Sequence, residues 1–170
     1  MNEYLDCQVR LEPISKGHMA KTFAWISDPD LRRAFLLRGE ITWAGHKNYF
    51  DRVLTDSSQR LYAILYKGEH VGNCGFKQLD TSASTGELWI YLGVSEVRGK
   101  GLGGKATRLL MEVGVKQCGL KKIQVHVAEN NEHARRLYSR LGFLEIGEGG
   151  KEWERHECRT LKMLWENTET

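Results

Sequence analysis

The chain lacks any long hydrophobic run. Its longest uninterrupted apolar stretch extends only from Leu61 to Tyr66, far below the roughly 20 residues that a membrane-spanning helix needs. Nor does it open on a basic stretch followed by an apolar one: Met1 to Asp6 reads Met-Asn-Glu-Tyr-Leu-Asp, so a signal peptide is not expected. Its four cysteines stand far apart, at positions 7, 74, 118 and 158. With no C-x-x-C pair and no Cys/His cluster of zinc-ligand spacing, reduced and partly buried thiols are expected. Repeats, low-complexity tracts and linkers are absent too. Neither sign of charge dominates, and a net charge of +3 suits an anionic small molecule as well as nucleic acid. These absences lead to the expectation of a soluble, cytoplasmic chain with no membrane association. Its 170 residues suffice for one domain, 1–170, that buries a core without disulfides or metals.

What is present is an alternation of strand and helix patterns. Residues 7–12 read as a strand ending at Pro13. Ser15 is positioned to cap a helix over Lys16–Ser27, with Met19, Phe23 and Ile26 as its apolar stripe. Asp28-Pro29 opens a second helix through Arg32 and Leu36 that Gly39 ends. Thr42 caps a third, with His46, Tyr49, Phe50, Val53 and Leu54 along one side. After Ser58 the composition turns β-branched and aromatic. Arg60–Tyr66, Val71–Leu79 and Glu87–Val94 are separated by short Gly- or Ser-containing turns, which predicts an antiparallel meander. A helix over 101–118, a strand over Lys122–Ala128, a helix over Glu132–Leu141 and strands over 143–148 and 155–164 complete a mixed α+β chain.

Between the meander and the long helix lies Arg98-Gly99-Lys100-Gly101-Leu102-Gly103. Glycines permit unusual dihedrals and close approach, so backbone amides can converge on a phosphate at the positive end of the helix dipole. Arg98 and Lys100 add mobile positive charge. The pattern is not a Walker loop, and a dinucleotide fold is disfavoured because the preceding strands read as antiparallel. Alone, it is equally readable as a turn that binds nothing. Its surroundings decide. Leu92-Gly93-Val94 leading into Arg98–Gly103 resembles the L-x-V…R-G-x-G-[LI]-G signature of the GNAT superfamily of N-acetyltransferases. Asn131-Glu132-His133-Ala134-Arg135-Arg136-Leu137-Tyr138-Ser139-Arg140-Leu141-Gly142-Phe143 resembles the family's N-x-x-A-x-x-L-Y-x-x-x-G-F segment.

The resemblance implies a mostly antiparallel sheet of six to seven strands flanked by helices, with a splayed cofactor cleft between strands 86–94 and 122–128. It implies acetyl-coenzyme A as acetyl donor. The backbones of Leu92 and Val94 would hold the pantetheine arm, and the Leu92 amide would polarise the thioester carbonyl. Arg98, Gly99, Lys100, Gly101, Leu102, Gly103 and Gly104 would hold the pyrophosphate. Asn131 reads as a helix N-cap and, by resemblance, as a cofactor contact. Tyr138 would be the general acid that protonates the leaving thiolate or donates a hydrogen bond to it; the alternative is a core tyrosine. Glu87 is the first choice for general base, with a solvated strand-edge glutamate as the equal alternative. His126, on the neighbouring strand, is a second choice acting through water, and His133 reads as a solvent-side helix residue. Arg135, Arg136 and Arg140 read as a basic face. This chemistry requires no bound metal.

The acceptor is read from residues 25–50. Trp25-Ile26-Ser27-Asp28-Pro29-Asp30-Leu31-Arg32-Arg33 and Ile41-Thr42-Trp43-Ala44-Gly45-His46-Lys47-Asn48-Tyr49-Phe50 resemble the opening of N-acetyltransferases acting on nucleotide-linked 4-amino sugars, of the pseudaminic-acid pathway type. Ile26 stands where that pattern has arginine. Arg32, Arg33, Arg38, Trp43, His46, Lys47 and Tyr49 offer cations and flat surfaces for such an acceptor; equally, Trp43 and His46 can be core-facing, and Phe50 is read as core. Acetylation of a protein N-terminus is the main enzymatic alternative, and a non-catalytic acyl-coenzyme A-binding module the alternative from another class. Polyamines fit less well, because a polycation wants an acidic cleft. Nucleic-acid binding is disfavoured, since no recognition motif appears. C-terminal strands of such domains often pair between subunits, which makes a homodimer an expected assembly.

Overall fold

The computed structural model describes residues 8–34, 39–149 and 159–168. In chain order they form β1 (Val9–Pro13), a 3-10 turn (Lys16–His18), α1 (Met19–Ile26), α2 (Pro29–Ala34), α3 (Trp43–Val53), β2 (Arg60–Tyr66), β3 (Glu69–Asp80) and β4 (Thr85–Leu92). A second 3-10 turn (Ser95–Val97), α4 (Leu102–Cys118), β5 (Lys122–Ala128), α5 (Glu132–Arg140), β6 (Leu144–Glu148) and β7 (Thr160–Glu166) follow. The strands form one sheet in the order β1-β2-β3-β4-β5-β7-β6. The expected α+β architecture, with a mostly antiparallel sheet, is the one the chain adopts.

Strand alternation sends side chains to opposite faces and gives the sheet two cores. Tyr62, Ile64, Cys74, Phe76, Leu88 and Leu92 pack with Leu102, Ala106 and Leu110 of α4 and with Tyr138 of α5. On the other face Leu61, Ala63 and Leu65 pack with Phe50 and Val53 of α3, and Trp89 leans on them. Full burial of one such large side chain stabilises the fold by about 1.5–3 kcal/mol. Along β4, then, Leu88, Ile90 and Leu92 belong to one face, and Glu87, Trp89 and Tyr91 to the other.

One pairing breaks the pattern. β4 and β5 run parallel and pair over only Thr85↔Lys122, Gly86↔Ile123 and Glu87↔Gln124, although β4 continues to Leu92 and β5 to Ala128. On its other side β5 pairs with β7 along its whole length, from Lys122↔Glu166 to Ala128↔Thr160. The sheet is therefore open between the distal halves of β4 and β5.

Several local expectations are corrected. The first helix does not start at Lys16: Ser15 caps a 3-10 turn, and α-helical geometry begins at Met19. Met19, Phe23 and Ile26 are only half-buried, while Thr22 is the buried member of α1. Thr22 can go inside because its hydroxyl is hydrogen-bonded by Asn73 of β3 at 2.9 Å. The second helix runs through Ala34; the part expected at residues 35–38 lies outside the described residues. Leu54, expected on the apolar side of the third helix, is exposed. The last strand runs over Thr160–Glu166; the part expected at residues 155–158 lies outside the described residues.

Where β4 leaves the sheet, Gly93 donates its N–H to Val71 O at 2.9 Å, and the Trp25 indole lies directly over it, so that a Cβ there would fall inside the ring. Substituting Gly93→Ala must displace a large aromatic ring from a filled site. The expected outcome is a loss of about 1–3 kcal/mol in urea unfolding, with the change in tryptophan fluorescence reporting the movement of Trp25.

Candidate active site

An open cleft of about 1270 Å³ passes through the gap between β4 and β5. It exceeds the roughly 300–1,000 Å³ typical of a single-ligand site, which gives room for two reactants. On the α4 side its wall includes Leu92, Gly101, Gly103, Gly104, Asn131 and Tyr138; on the α3 side it includes Thr22, His46, Tyr49, Asn73, Trp89 and Tyr91.

The glycine loop closes one end. Gly99 (φ 74°) and Gly101 (φ 80°) are left-handed, a conformation that side chains with a Cβ rarely adopt. Gly101 is the N-cap of α4, and Lys105 is the residue whose N–H bonds back to Gly101 O at 3.2 Å. The amides of Leu102, Gly103 and Gly104 therefore point out of the end of a 17-residue helix. A Cβ on Gly103 would meet nothing within 4 Å, whereas one on Gly104 would stand 2.9 Å from Leu137 Cδ1 of α5. Gly103 thus leaves cleft space unfilled, and Gly104 lets the two helices close. Free amides, a helix N-terminus and an open wall fit a pyrophosphate group.

Two residues expected at this half carry bonds within the fold, and Arg98 also lines the cleft. Arg98 donates from Nε (3.2 Å) and Nη2 (2.8 Å) to the carbonyl of Leu92. Its guanidinium ties the loop to the end of β4. Val94, expected to offer its backbone to the pantetheine arm, directs its N–H to Val71 O at 3.3 Å. Leu92 differs. Gly93 bonds across to β3, so by the two-residue alternation of an antiparallel ladder the peptide edges of Ile90 and Leu92 face the gap where β5 has parted. Val94 and Lys100 are not among the residues lining the cleft.

Asn131 caps α5, its Oδ1 accepting from Ala134 N at 3.1 Å, and it also lines the cleft. Tyr138 is buried against Phe143, ring centroids 5.5 Å apart. Burial pushes its phenol well above the ordinary tyrosine value, so it keeps its proton. The ring is part of the core, and the residue also lines the cleft. His133 and Arg140 reach the cleft as well, while Arg135 is drawn to Glu145 (2.7 Å) and Arg136 to Glu132 (3.0 Å).

Glu87 is not a solvated edge residue. It is buried, 3% exposed, with Oε1 2.9 Å from His126 Nδ1 and 3.2 Å from Lys77 Nζ. Burial by itself would raise its carboxyl, but the hydrogen bond from His126 and the Lys77 ammonium overcome it and hold the group below the usual carboxylate range. Lys77, Glu87 and His126 all line the cleft. They stand on adjacent strands, Lys77 and Glu87 on the last rung before β4 and β5 separate and His126 two residues past Gln124, where the gap opens. Sequence reading named Glu87 and His126 separately; Lys77 it missed, since one lysine in a strand carries no signal until the β3–β4 register sets it opposite Glu87.

Of the acceptor residues, Arg32 and Trp43 do not line the cleft. Arg32 donates to Ile26 O (3.2 Å) and to Gly39 O, which fastens the α2–α3 connection. Trp43 is 46% exposed and meets Phe23 edge-on. Arg33 pairs with Asp30 on the surface, and Arg38 lies outside the described residues. His46 does line the cleft, but it is buried with Nε2 donating to Met19 O at 3.0 Å, and burial lowers its pKa despite that bond. Sequence reading missed the network behind it. Asn73, 2% exposed, donates from Nδ2 to Thr22 Oγ1 (2.9 Å) and Tyr91 Oη (2.8 Å), and its Oδ1 accepts from His70 Nε2 (2.8 Å). An asparagine, threonine and tyrosine on three separate elements give no spacing to read. Among the described residues no helix is long and apolar enough to cross a membrane.

Comparison with known proteins bears on this geometry. A family model described as the acetyltransferase (GNAT) domain matches residues 8–144. Spermidine N(1)-acetyltransferase of Escherichia coli is 24% identical over 140 residues, 82% of this chain and 75% of that protein. Spermine/spermidine N(1)-acetyltransferase of Bacillus subtilis is 33% identical over 90 residues, 50% of this chain and 59% of that protein. The solved structure of Vibrio cholerae spermidine N-acetyltransferase in complex with CoA and spermine superposes with a TM-score of 0.84 at 17% identity, over 94% of this chain and 96% of that one.

A Gly103→Val variant puts a side chain into open cleft space without colliding with the fold. By isothermal titration its affinity for coenzyme A is expected to fall at least tenfold, while its melting temperature stays within about 3 °C of the parent. Equal affinity in the two proteins removes the loop from the donor site.

Proposed function

Because the chain belongs to the GNAT acetyltransferase family and is an acetyl-coenzyme A-dependent N-acetyltransferase, we propose that its acceptor is the 4-amino group of a nucleotide-linked amino sugar. The carrying observation is the chemistry of the acceptor wall. Tyr49, Trp89 and Tyr91 supply flat rings, Thr22 and Asn73 supply neutral hydrogen-bonding groups, and Arg52 supplies a cation. The carboxylates lining the cleft, among the described residues, are Glu40 and Glu87, and Glu87 is already ion-paired. A hydroxylated ring with an anionic tail matches that lining. A second reading, a polyamine acceptor, is favoured by the relatives' activities and by ring faces, which also attract ammonium groups. The scarcity of carboxylates weighs against it, since each desolvated ammonium needs its own compensation.

Acetyl-coenzyme A supplies the acetyl group as a reactive thioester. The amides of Leu102, Gly103 and Gly104 hold its pyrophosphate, with Lys105 and Arg108 nearby on the cleft wall. The Leu92 N–H, aimed into the gap, orients and polarises the carbonyl. Tyr138 keeps its proton and donates a hydrogen bond to the departing sulfur. Its raised pKa makes it a better hydrogen-bond donor than a full proton donor to a thiolate. The Glu87–His126 pair receives the proton that the acceptor ammonium must lose before it can attack. The absence of a membrane-length helix among the described residues is consistent with action in the cytoplasm.

Thiol release with UDP- and dTDP-linked 4-amino sugars, N-terminal peptides and spermidine separates the acceptors. The expected kcat/KM for a nucleotide sugar exceeds that for spermidine at least tenfold, a difference of about 1.4 kcal/mol in transition-state binding. Preference for spermidine overturns the sugar reading and leaves the transferase intact. With the best acceptor, Tyr138→Phe is expected to lower kcat about 10²-fold and to unfold like the parent, because the hydroxyl has no protein hydrogen-bond partner among the described residues. Unchanged turnover removes Tyr138 from the chemistry.

A further inference from the structure

We propose that Arg98 is a positioning residue of the acetyl transfer. Its guanidinium takes the place that β5 gives up beside the Leu92 carbonyl, and by fixing that peptide it holds the Leu92 N–H on the thioester oxygen. The inference rests on the transferase reading of the cleft and is independent of the acceptor's identity.

The ladder sets the direction of the Leu92 groups. Gly93 turns its N–H to Val71 O of β3 at 2.9 Å, and in an antiparallel ladder successive residues face opposite sides. Leu92, one residue earlier, therefore sends both its N–H and its carbonyl toward the side where β5 has parted, since β4–β5 pairing stops at Glu87↔Gln124. In a closed sheet a β5 amide would complete that carbonyl. Here Arg98 does so. It folds back over six positions, from beyond the second 3-10 turn, and donates from Nη2 at 2.8 Å and Nε at 3.2 Å.

This grip is better directed than the bond it replaces. A charged donor makes a stronger hydrogen bond than a neutral amide, and the rigid Nε–Nη2 edge brings two N–H groups to one oxygen. The Leu92–Gly93 peptide is pinned at both ends, its N–H on β3 and its carbonyl on Arg98. That matters because β4 ends at Leu92, and strand ends without a lateral partner open first. The beneficiary is the N–H of the same residue, which must keep a fixed direction to meet the charge developing on the thioester oxygen. Arg98 also lines the cleft, so its permanent charge adds to the field in which that oxygen turns negative. The other role open to Arg98, direct phosphate ligand, uses the same side-on edge; the carbonyl already occupies it.

Four measurements on the full chain test this, with Arg98→Gln and with Arg98→Lys, which keeps the charge without the fork. In the ligand-free protein, hydrogen exchange at the Gly93 amide is expected to speed up at least tenfold in both variants, since one end of its peptide is released. Unchanged protection overturns the proposal. With isotope-labelled acetyl-coenzyme A, the infrared carbonyl band is expected to move to lower frequency on binding to the wild type. Most of that movement is expected to be lost in Arg98→Gln. Kinetics use a UDP-linked 4-amino sugar and spermidine as probe amines. They are expected to show kcat lowered at least tenfold at nearly constant KM for acetyl-coenzyme A, short of the roughly 10²–10³ that losing a whole oxyanion donor costs. Coenzyme A has no acetyl carbonyl, and its affinity by calorimetry is expected to stay within about threefold of the parent. A loss of about tenfold in that affinity with the carbonyl band unmoved makes Arg98 a phosphate ligand and overturns the proposal. Full turnover by a folded Arg98→Gln overturns it too. If the wild type uses neither probe, the acceptor reading fails while the infrared band still decides this one. A wild type that binds no acetyl-coenzyme A refutes the transferase reading and this role with it, and the exchange at Gly93 then shows separately whether Arg98 holds the peptide.

Discussion

Three rungs of parallel pairing between β4 and β5 are the constraint on which the site depends. Full pairing would hide the peptide edges of Ile90 and Leu92 in a ladder and leave the two faces of the sheet without communication. With no pairing at all, Glu87 and His126 would lose their common anchor. Because pairing stops after Glu87, one opening connects the α4 face, with its helix N-terminus and left-handed glycines, to the α3 face, with its rings and its asparagine network. A donor and an acceptor can approach the same point from opposite sides of the sheet. The cores fix the two faces: Leu88 and Leu92 are held by α4, and Trp89 by the cluster under α3.

Polar burial around the opening follows a consistent logic. Each buried polar group sits in a set that satisfies it: Glu87 with Lys77 and His126, Asn73 with Thr22, Tyr91 and His70, and His46 with the Met19 carbonyl. Such sets restrict rotamers and hold cleft groups in one arrangement before any reactant arrives. Thr160 is the contrast, a buried hydroxyl without a hydrogen-bond partner among the described residues. Tyr138 achieves rigidity differently, through ring packing against Phe143.

Much of the donor half was legible in the sequence, because its physics is local. Positive φ at Gly99 and Gly101, the start of α4 and the Asn131 cap each involve residues a few positions apart, and short-range patterns report such features. The strand meander was legible for the same reason. The acceptor half was not, because it is assembled from α1, α3, β3 and β4. Arg32 and Trp43 sit in the right segment, but helix rotation and the Gly39 carbonyl turn them elsewhere. Arg98 shows a subtler limit. Its position beside the phosphate loop is evident from sequence, but its bonds to the Leu92 carbonyl belong to a folded turn. The Glu87–His126 bond spans 39 positions and follows from the parallel register alone.

The indole of Trp25 lying on Gly93 joins two parts of the molecule that otherwise serve different reactants. Trp25 belongs to α1, whose Thr22 lines the acceptor wall; Gly93 is the first residue after the strand whose peptide edges face the donor. With no side chain at Gly93 to cushion the contact, a shift of α1 is passed directly to the hinge where β4 bends into the glycine loop. Divergence of the acceptor helices is thereby tethered. The tryptophan-on-glycine contact joins the Thr22–Asn73 hydrogen bond in setting the register of α1 against the sheet, so the wall that receives the amine and the turn that follows the donor strand are positioned together.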